Sequence, residues 1–190
     1  HVATGWCTLT GVRRNPEERR RRIIEAACEL IPEVGVAGLT HRLVAARAAV
    51  PLGATTYYFK SLDDLVAAAL ELAADINIAC LEEWAKALAT TADVPATLVR
   101  LTDDYLRDHV RMRTWNELYV AAGHRPELRP LARLWSDGLT DLLAEHVDRR
   151  AARAAAVFID GALLHALIYD RPLDQEALGH TLSAILTPAG

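Results

Sequence analysis

The segment PLGATTYYF, residues 51–59, decides how this sequence is interpreted. It follows the short apolar segment HRLVAARA, residues 41–48, after only two intervening residues. Proline at the start of residues 51–59 fits the first position of a new helix, and the middle of the segment is polar where a buried helix would be apolar. Gly53 permits close backbone approach, and Thr55 and Thr56 carry hydroxyls that bond to phosphates or base edges. Two short helices joined by a tight turn are typical of a helix-turn-helix unit, whose second helix enters the DNA major groove.

Helix start and stop signals flank this pair. Asn15 followed by Pro16 predicts the beginning of a first helix that ends at Gly35. Thr40 is placed to cap the second helix, and Ser61 with Asp64 forms a capping box that begins a long amphipathic helix reaching about residue 90. The first sixty residues therefore predict a three-helix unit followed by a connecting helix.

The remaining sequence also has helical periodicity. Further helices are predicted over residues 95–108, 110–123, from 126 or 130 to 147, 148–169 and 174–186. No strand pattern or internal repeat is found in the sequence, so the predicted fold is all-α with about ten helices. We expect a helix-turn-helix domain over residues 1–60 and a larger helical domain over residues 61–190.

Charge is unevenly distributed along the 190 residues. The net charge of −4 argues at first against a nucleic-acid-binding protein. However, residues 1–60 contain 9 Lys and Arg against 5 Asp and Glu, whereas residues 61–190 contain 12 against 20. This asymmetry is typical of a basic nucleic-acid-binding module joined to an acidic remainder, although ordinary scatter of charge explains it equally well.

Compartment and cofactor predictions rest on weaker features. The three cysteines, at positions 7, 28 and 80, have no metal-binding spacing and indicate a reducing, cytoplasmic compartment. No apolar run reaches the roughly 18–20 residues that cross a bilayer, because Asp160 interrupts one of the best stretches, so no membrane partner is expected. Asp104, Asp108 and His109 are interpreted as a solvated cluster rather than a metal site, and no cofactor is predicted. No function is assigned to residues 1–10.

Residues 19–65 resemble the DNA-binding domain of the TetR (tetracycline-repressor-like) family of bacterial transcriptional regulators. The resemblance is carried by ELIPEVGVAGLT, HRLVAARAAV and PLGATTYYFKSLDDLV. Over the rest of the chain it is architectural. Two residues depart from the family pattern, since Ala49 stands where glycine is common and Leu62 where lysine is common.

The resemblance implies a homodimeric repressor that binds a pseudo-palindromic operator and is released by a small molecule bound in the C-terminal domain. The expected DNA-binding residues are Thr40, Arg42, Leu52, Gly53, Thr55, Thr56, Tyr57 and Lys60. Arg13, Arg14 and the run at residues 19–22 form a basic patch, interpreted as attracting phosphate or simply as a solvated face. The long helix that begins at Ser61 joins the two domains and is expected to couple ligand to DNA.

Two further residue sets are predicted in the acidic region. The effector site is expected at Trp84, Tyr105, Met112, Trp115, Asn116 and Tyr119, which mix aromatic and polar groups on neighbouring helices. For each of these residues, a role in the core alone is the competing interpretation. The dimer interface is expected at Trp135, Leu139, Leu142, Phe158, Gly161 and His165, within a four-helix bundle formed by two helices of each copy.

Two other classes of function are compatible with a helical chain. No familiar catalytic motif occurs in the sequence, so a non-enzymatic role is predicted, and a helical enzyme without such a motif is the first alternative. A structural or partner-binding helical protein is the second, but it leaves the polar segment at residues 51–59 unexplained.

Overall fold

The computed structural model describes residues 15–187, and Arg13 and Arg14 of the predicted basic patch lie outside them. Within this range the chain forms nine α-helices and one 3-10 turn, with no β-strand. The helices are α1 Pro16–Gly38, α2 His41–Arg47, α3 Leu52–Tyr58, α4 Leu62–Ala89, α5 Val94–Arg107, α6 His109–His124, α7 Arg129–Leu143, α8 Arg149–Tyr169 and α9 Gln175–Leu186, and the 3-10 turn is Pro126–Leu128. The all-α prediction is confirmed.

Capping side chains set the start of the helices as the sequence predicted. Asn15 Oδ1 accepts the amide of Glu17 at 3.1 Å, and Thr40 Oγ1 accepts that of Leu43 at 3.2 Å. Ser61 and Asp64 form a reciprocal capping box, with distances of 3.0 and 3.1 Å. These bonds satisfy backbone amides that have no partner within the helix, so the polar residues fix where each helix begins.

Helices α1 to α3, residues 15–60, form a unit that we call the head. The Arg22 guanidinium donates to the carbonyl of Ala48 at the turn between α2 and α3. Arg47, at the end of α2, pairs with Glu33 of α1 at 2.8 Å. Ala49 within the turn has φ +51°, in the left-handed region that favours glycine. The family's usual glycine at this position therefore has a direct backbone reason, and alanine here is strained.

Helix α1 does not stop at Gly35 as the sequence predicted. Gly35 adopts φ +69° and ψ 165°, which interrupts the helical backbone, but one more turn follows to Gly38. The predicted glycine break is therefore real, and the chain resumes a helical turn after it.

Helices α4 to α9 form the body, residues 61–187. Helix α7 lies at its centre, packed between α4 and α8. A Cβ atom built at Gly138 of α7 would lie 2.7 Å from Leu81 Cδ1, so glycine is what allows α7 to approach α4 this closely. Trp135 and Leu139 of α7 are buried in the resulting core.

The central position of α7 corrects part of the dimer prediction. Trp135, Leu139 and Leu142 are 1%, 0% and 8% exposed in the single chain. Side chains buried within one copy have no surface left for a second, so these three residues belong to the core. Helix α7 also ends at Leu143 rather than Val147, since Asp148 caps the next helix and its side chain accepts the amides of Arg150 and Ala151.

Helix α8 combines high apolarity with wide exposure. Among the described residues it is the one helix long and apolar enough to cross a membrane, with a mean hydropathy of 1.6 in a window only 28% buried. Helices in the cores of non-membrane proteins meet the same criteria, so this property alone does not assign a membrane role. Its exposed apolar residues, at steps of three and four, are Ala154, Val157, Leu164 and Ile168, with Gly161 between them.

Candidate functional site

The outer surface of the head presents seven of the eight residues predicted to bind DNA. The exposed members are Thr40, Arg42, Leu52, Gly53, Thr56, Tyr57 and Lys60. Tyr57 is 79% exposed, the largest value among the exposed large apolar side chains of the described chain. Neither Arg42 nor Lys60 forms an ion pair within residues 15–187, so both charges remain available to phosphate.

The prediction for Thr55 is wrong at the level of its side chain. Thr55 is fully buried, and its hydroxyl donates to the carbonyl of Leu52 at 2.8 Å. This side chain anchors α3 against the other helices of the head and has no face toward solvent. The next residue, Thr56, lies about 100° further around the helix and is exposed.

The arginine run of α1 has structural partners. Arg21 pairs with Glu18 at 2.8 Å and with Glu25 at 3.1 Å. Arg20 lies over the ring of Phe59, with its Cζ 5.3 Å from the ring centroid. Arg22 donates to the turn, as described above. Arg20 and Arg22 therefore help to hold the head together, whichever charges of the patch also meet phosphate.

In the body, five of the six predicted effector residues line one small cavity. Tyr105 comes from α5, and Met112, Trp115, Asn116 and Tyr119 come from α6. The prediction for Trp84 is wrong, because this side chain lies behind the cavity wall, edge-on to Trp135 with ring centroids 5.5 Å apart.

A carboxylate that was not predicted completes the cavity. Asp160 of α8 lines it and accepts hydrogen bonds from Trp135 Nε1 at 2.9 Å, Ser136 Oγ at 2.6 Å and Tyr119 Oη at 3.4 Å. Tyr119 Oη also lies 2.8 Å from Ser136 Oγ. The acidic group is thus held in a fixed orientation by three side chains from two neighbouring helices.

Aromatic rings surround this carboxylate. The Tyr105 and Trp135 rings are 4.9 Å apart between centroids, Trp115 and Tyr119 are 5.2 Å apart, and Trp115 and Trp135 are 6.5 Å apart. The faces of aromatic rings are electron-rich, and they attract cations most strongly where water is excluded. The Tyr105 ring already has a cation over it, since Arg111 Cζ lies 5.7 Å from its centroid. The site therefore combines one negative charge with the Trp115 and Tyr119 rings, whose faces favour positive charge.

Burial shifts the protonation equilibria in the cavity. It raises the pKa of Asp160 above the ordinary aspartate value, while the hydrogen bonds from Ser136, Trp135 and Tyr119 act in the opposite direction. Burial, together with the nearby Asp160 charge, raises the pKa of Tyr119 to about 12. Tyr119 therefore keeps its proton at neutral pH and donates it into the network.

A larger cleft adjoins the aromatic cavity. The cavity holds about 40 Å³, enough for only a few water molecules, whereas the cleft holds about 540 Å³. Met112 and Leu167 line both spaces. Methionine is flexible and adapts its shape to its neighbours, so the boundary between the two spaces contains at least one easily rearranged side chain.

The sequence contains one signal for Asp160, an aspartate in the middle of an apolar helix. This aspartate interrupts a stretch that could cross a membrane, and it also points to a polar site. A buried charge needs a specific reason to be retained, because burial without partners is costly. Its partners Trp135 and Ser136 lie on another helix, and the sequence does not show that they meet Asp160.

The other dimer predictions lie on α8 in different settings. Gly161 and His165 are exposed, and a Cβ atom at Gly161 would meet nothing within 4 Å. Phe158 is partly buried and packs against the protomer's own core. Among the described residues there is no cluster of three or more His, Cys, Asp or Glu that could hold a metal ion.

Two family models match separate parts of the chain. A model described as "Bacterial regulatory proteins, tetR family" matches residues 23–69, and one described as "Tetracyclin repressor-like, C-terminal domain" matches residues 87–188. The HTH-type transcriptional regulator BetI 1 of Chromohalobacter salexigens is 31% identical over 170 residues, which are 82% of each chain. BetI of Burkholderia mallei is 32% identical over 177 residues, covering 85% of this chain and 88% of the relative.

Solved structures of TetR-family proteins are similar to this chain as well. The multidrug binding protein EbrR complexed with imidazole is 41% identical, with a TM-score of 0.79 over 90% of this chain and 97% of that one. A TetR family member from Streptomyces coelicolor A3 is also 41% identical, with a TM-score of 0.80 over 90% and 99% of the two chains. The chain therefore belongs to the TetR family of bacterial transcriptional regulators, and it is a ligand-responsive DNA-binding protein.

Proposed function

We propose that this regulator is a homodimeric repressor whose operator affinity falls when an organic cation binds at Asp160. The observation that carries the proposal is the partly buried Asp160 carboxylate, held by three hydrogen bonds inside an aromatic cavity. In this proposal residues 1–60 read DNA and residues 61–190 bind the effector and form the dimer.

The proposed DNA-reading surface is the exposed side of α2 and α3. Thr56 and Tyr57 approach the bases or the adjacent phosphates, while Arg42 and Lys60 neutralise phosphates. The remaining proposed contacts, made by backbone or apolar surface, are Thr40, Leu52 and Gly53. Hydroxyl contacts leave the preferred bases open, so the operator has to be found by selecting bound sequences from random duplex DNA.

The proposed dimer interface is the exposed apolar face of α8. Val157 and Ile168 are 64% and 66% exposed, and Gly161 between them leaves room for a second helix to approach. We propose that a second copy covers this face through a two-fold axis, since the same surface then serves both partners. A dimer also supplies two recognition helices for two successive major grooves about 34–36 Å apart.

The proposed effector class follows from the charge of the cavity. Asp160 supplies a negative charge where Trp115 and Tyr119 supply electron-rich rings, so a positive group is favoured over a neutral one of equal size. EbrR has been solved with proflavin, malachite green and ethidium, all of which are aromatic cations. This supports the same ligand class for the present chain.

The size of the cavity determines how such a ligand enters. At about 40 Å³ the space beside Asp160 accepts a small cationic head group, and the rest of the ligand has to extend past Met112 and Leu167 into the 540 Å³ cleft. Ligand binding therefore requires these side chains, and the helices that carry them, to move apart. This movement is the proposed source of the change in operator affinity.

A pair of nearly isosteric probes tests the effector class. Phenyltrimethylammonium carries a positive charge, and tert-butylbenzene has almost the same shape without it. We expect calorimetry to show cation binding that Asp160→Asn weakens about 10- to 100-fold, because a charged contact is worth about 1.5–3 kcal/mol, with little change for the neutral probe.

Asp137→Asn is the matched control, since Asp137 is exposed on α7 next to Ser136 and makes no ion pair within the described residues. It should bind both probes as the wild type does. Equal affinity of the wild type for the cation and for the neutral probe would contradict the proposed effector class.

A further inference from the structure

Helix α6 has two opposite faces with different neighbours. One face carries Trp115 and Tyr119 into the effector cavity. Glu117 lies two residues from each of them, which at 100° per residue places it on almost the opposite side of the helix. That opposite side faces α1 of the head, so a single layer of helix separates the cavity from the head.

Glu117 makes a specific contact with α1. Its Oε2 accepts a hydrogen bond from the amide of Val36 at 3.0 Å. Val36 directly follows Gly35, the residue that interrupts the helix. A Cβ atom built at Gly35 would be in ordinary van der Waals contact with the same oxygen, at 3.4 Å, so the φ of +69° is what favours glycine here. A carboxylate at the amide that starts a helical turn is a strong, charge-assisted cap.

We infer that Glu117 is the positioning residue that transmits movement of α6 to the head; this inference rests on the proposed function. The three residues after Val36 lead directly to Thr40, which caps α2. A shift of α6 on opening of the cavity therefore acts on the chain immediately before the DNA-reading helices.

Contacts among α1, α2 and α3 hold the head together, so it moves as one unit when α1 is displaced. Arg47 joins the end of α2 to Glu33 at 2.8 Å and to Glu29 at 3.5 Å, both on α1. Arg22 of α1 donates to the carbonyl of Ala48 in the turn that leads to α3. The Arg47 pairs are exposed and contribute little, but buried side chains of α1 and α2, with Tyr58 of α3 packed against them, form one core. This packing makes α3 follow α1, so the position of Val36 fixes that of the recognition helix relative to α6.

A second contact joins α6 to the connecting helix, and it has a different character. Arg125, which follows the end of α6, donates to Asp63 Oδ1 in the first turn of α4 at 2.6 Å. Asp63 is 73% exposed, and exposed ion pairs contribute little. Glu117 is partly buried and bonds to backbone, so it is the firmer of the two polar links.

Two substitutions of Glu117 separate transmission from stability. Glu117→Ala removes the acceptor, whereas Glu117→Gln retains a side-chain oxygen that accepts the Val36 amide. Glu127→Ala is the control, because Glu127 is an exposed carboxylate just beyond α6. For each full-length protein, operator affinity is measured with and without saturating phenyltrimethylammonium, and cation affinity is measured without DNA.

The wild type and the control should show a ratio of operator affinities of about fivefold or more, within the usual range for coupled sites. In Glu117→Ala we expect this ratio to fall to less than about twofold while the cation affinity of the DNA-free protein stays unchanged. Glu117→Gln should recover most of the ratio. Amide exchange at Val36 should be faster in Glu117→Ala and close to wild type in Glu117→Gln.

Three outcomes would overturn the inference. A wild-type ratio in Glu117→Ala shows that Glu117 does not transmit the signal. Loss of the ratio in Glu117→Ala together with loss of cation binding and a large fall in Tm shows a merely structural role. A wild-type protein that binds the cation and the operator without any effect of one on the other contradicts the proposed function itself, and with it this inference.

Discussion

The recognition helix of the head and the cavity of the body place functional groups in opposite environments. In the head, the groups proposed to act are exposed, and the buried Thr55 serves the fold. In the body, the carboxylate proposed to act is partly buried, and it is held by three hydrogen bonds. DNA is a large ligand and needs an outward surface for its contacts. A small cation is bound strongly by aromatic rings only where water is excluded.

This difference in burial predicts that the two sites affect folding stability differently. Thr56 and Tyr57 have little structural duty, so they are free to change with the operator. Asp160 carries a desolvation cost in every folded molecule, and the network around it only partly offsets that cost. Substitutions of Thr56 and Tyr57 should therefore affect binding alone, and substitutions at Asp160 should affect binding and stability together.

The apolar face of α8 belongs to the body, yet it is exposed like the groups proposed to act in the head. A substitution on this face gives the largest expected effect, which is on dimer affinity. Val157→Glu would bury an unpaired charge in the proposed dimer, twice because of the two-fold symmetry. We expect dimer affinity to fall by more than about 100-fold, from a cost of about 3–5 kcal/mol. Analytical ultracentrifugation measures this.

The matched control is Val120→Glu, at a valine that is 55% exposed on α6 and outside the α8 face. It should remain dimeric. A wild-type protein that is monomeric at all accessible concentrations would remove the proposed geometry for DNA binding.

The double variant Thr56→Ala, Tyr57→Ala tests the head. We expect operator affinity to fall about 100-fold, since each lost contact is worth about 1–3 kcal/mol, with no change in Tm or in cation affinity. Competition binding against the selected operator measures the loss. Thr187→Ala is the control. Like Thr56, Thr187 is exposed and its hydroxyl donates to a backbone carbonyl, but it lies at the end of α9, so its loss should leave operator affinity unchanged. A large drop in Tm for the double variant would show that these side chains are structural.

Asp160→Asn tests the buried site through the pH dependence of stability. Because the folded-state pKa of Asp160 is raised, the unfolded chain releases its proton first as the pH rises. Wild-type stability should therefore fall, relative to the variant, from the ordinary aspartate pKa near 3.8 up to the raised folded-state value. Urea unfolding at a series of pH values measures the difference. A difference that grows in favour of the wild type over this window would contradict the assignment.

Ala49→Gly gives the smallest expected effect. Glycine relieves the positive φ of +51° in the turn, at some entropic cost to the folded state. We expect the free energy of unfolding to rise by about 1 kcal/mol, measured by thermal or urea unfolding. Ala46→Gly, at an exposed helical position in α2, should instead destabilise by a similar amount. Destabilisation by Ala49→Gly would show that the turn is not strained.

The head was easier to predict from the sequence than the cavity of the body. Local signals at Asn15, Thr40 and Ser61 predicted the helix starts because capping depends on residues close in the chain. The exposed face of the recognition helix followed from the pattern of residues 51–59, except that Thr55 is turned inward by its position on the helix. The resemblance at residues 19–65 added the biological role.

Long-range packing was not predictable in the same way. The sequence does not show that Trp135 and Ser136 of α7 face Asp160 of α8, or that Glu117 meets the break in α1. The central place of α7 was missed as well, because its apolar stripe fits a core and an interface equally. The effector residues predicted on α6 line one cavity, since they lie on one face of one helix; their role in binding stays a prediction.

The most direct test of coupling between the two sites measures the affinity of phenyltrimethylammonium for the wild-type protein with and without saturating operator DNA. We expect operator to weaken cation binding by the same factor by which the cation weakens operator binding, as linkage requires. This coupling should be lost in Glu117→Ala and retained in Glu117→Gln. Identical cation affinities in the presence and absence of bound operator would contradict it.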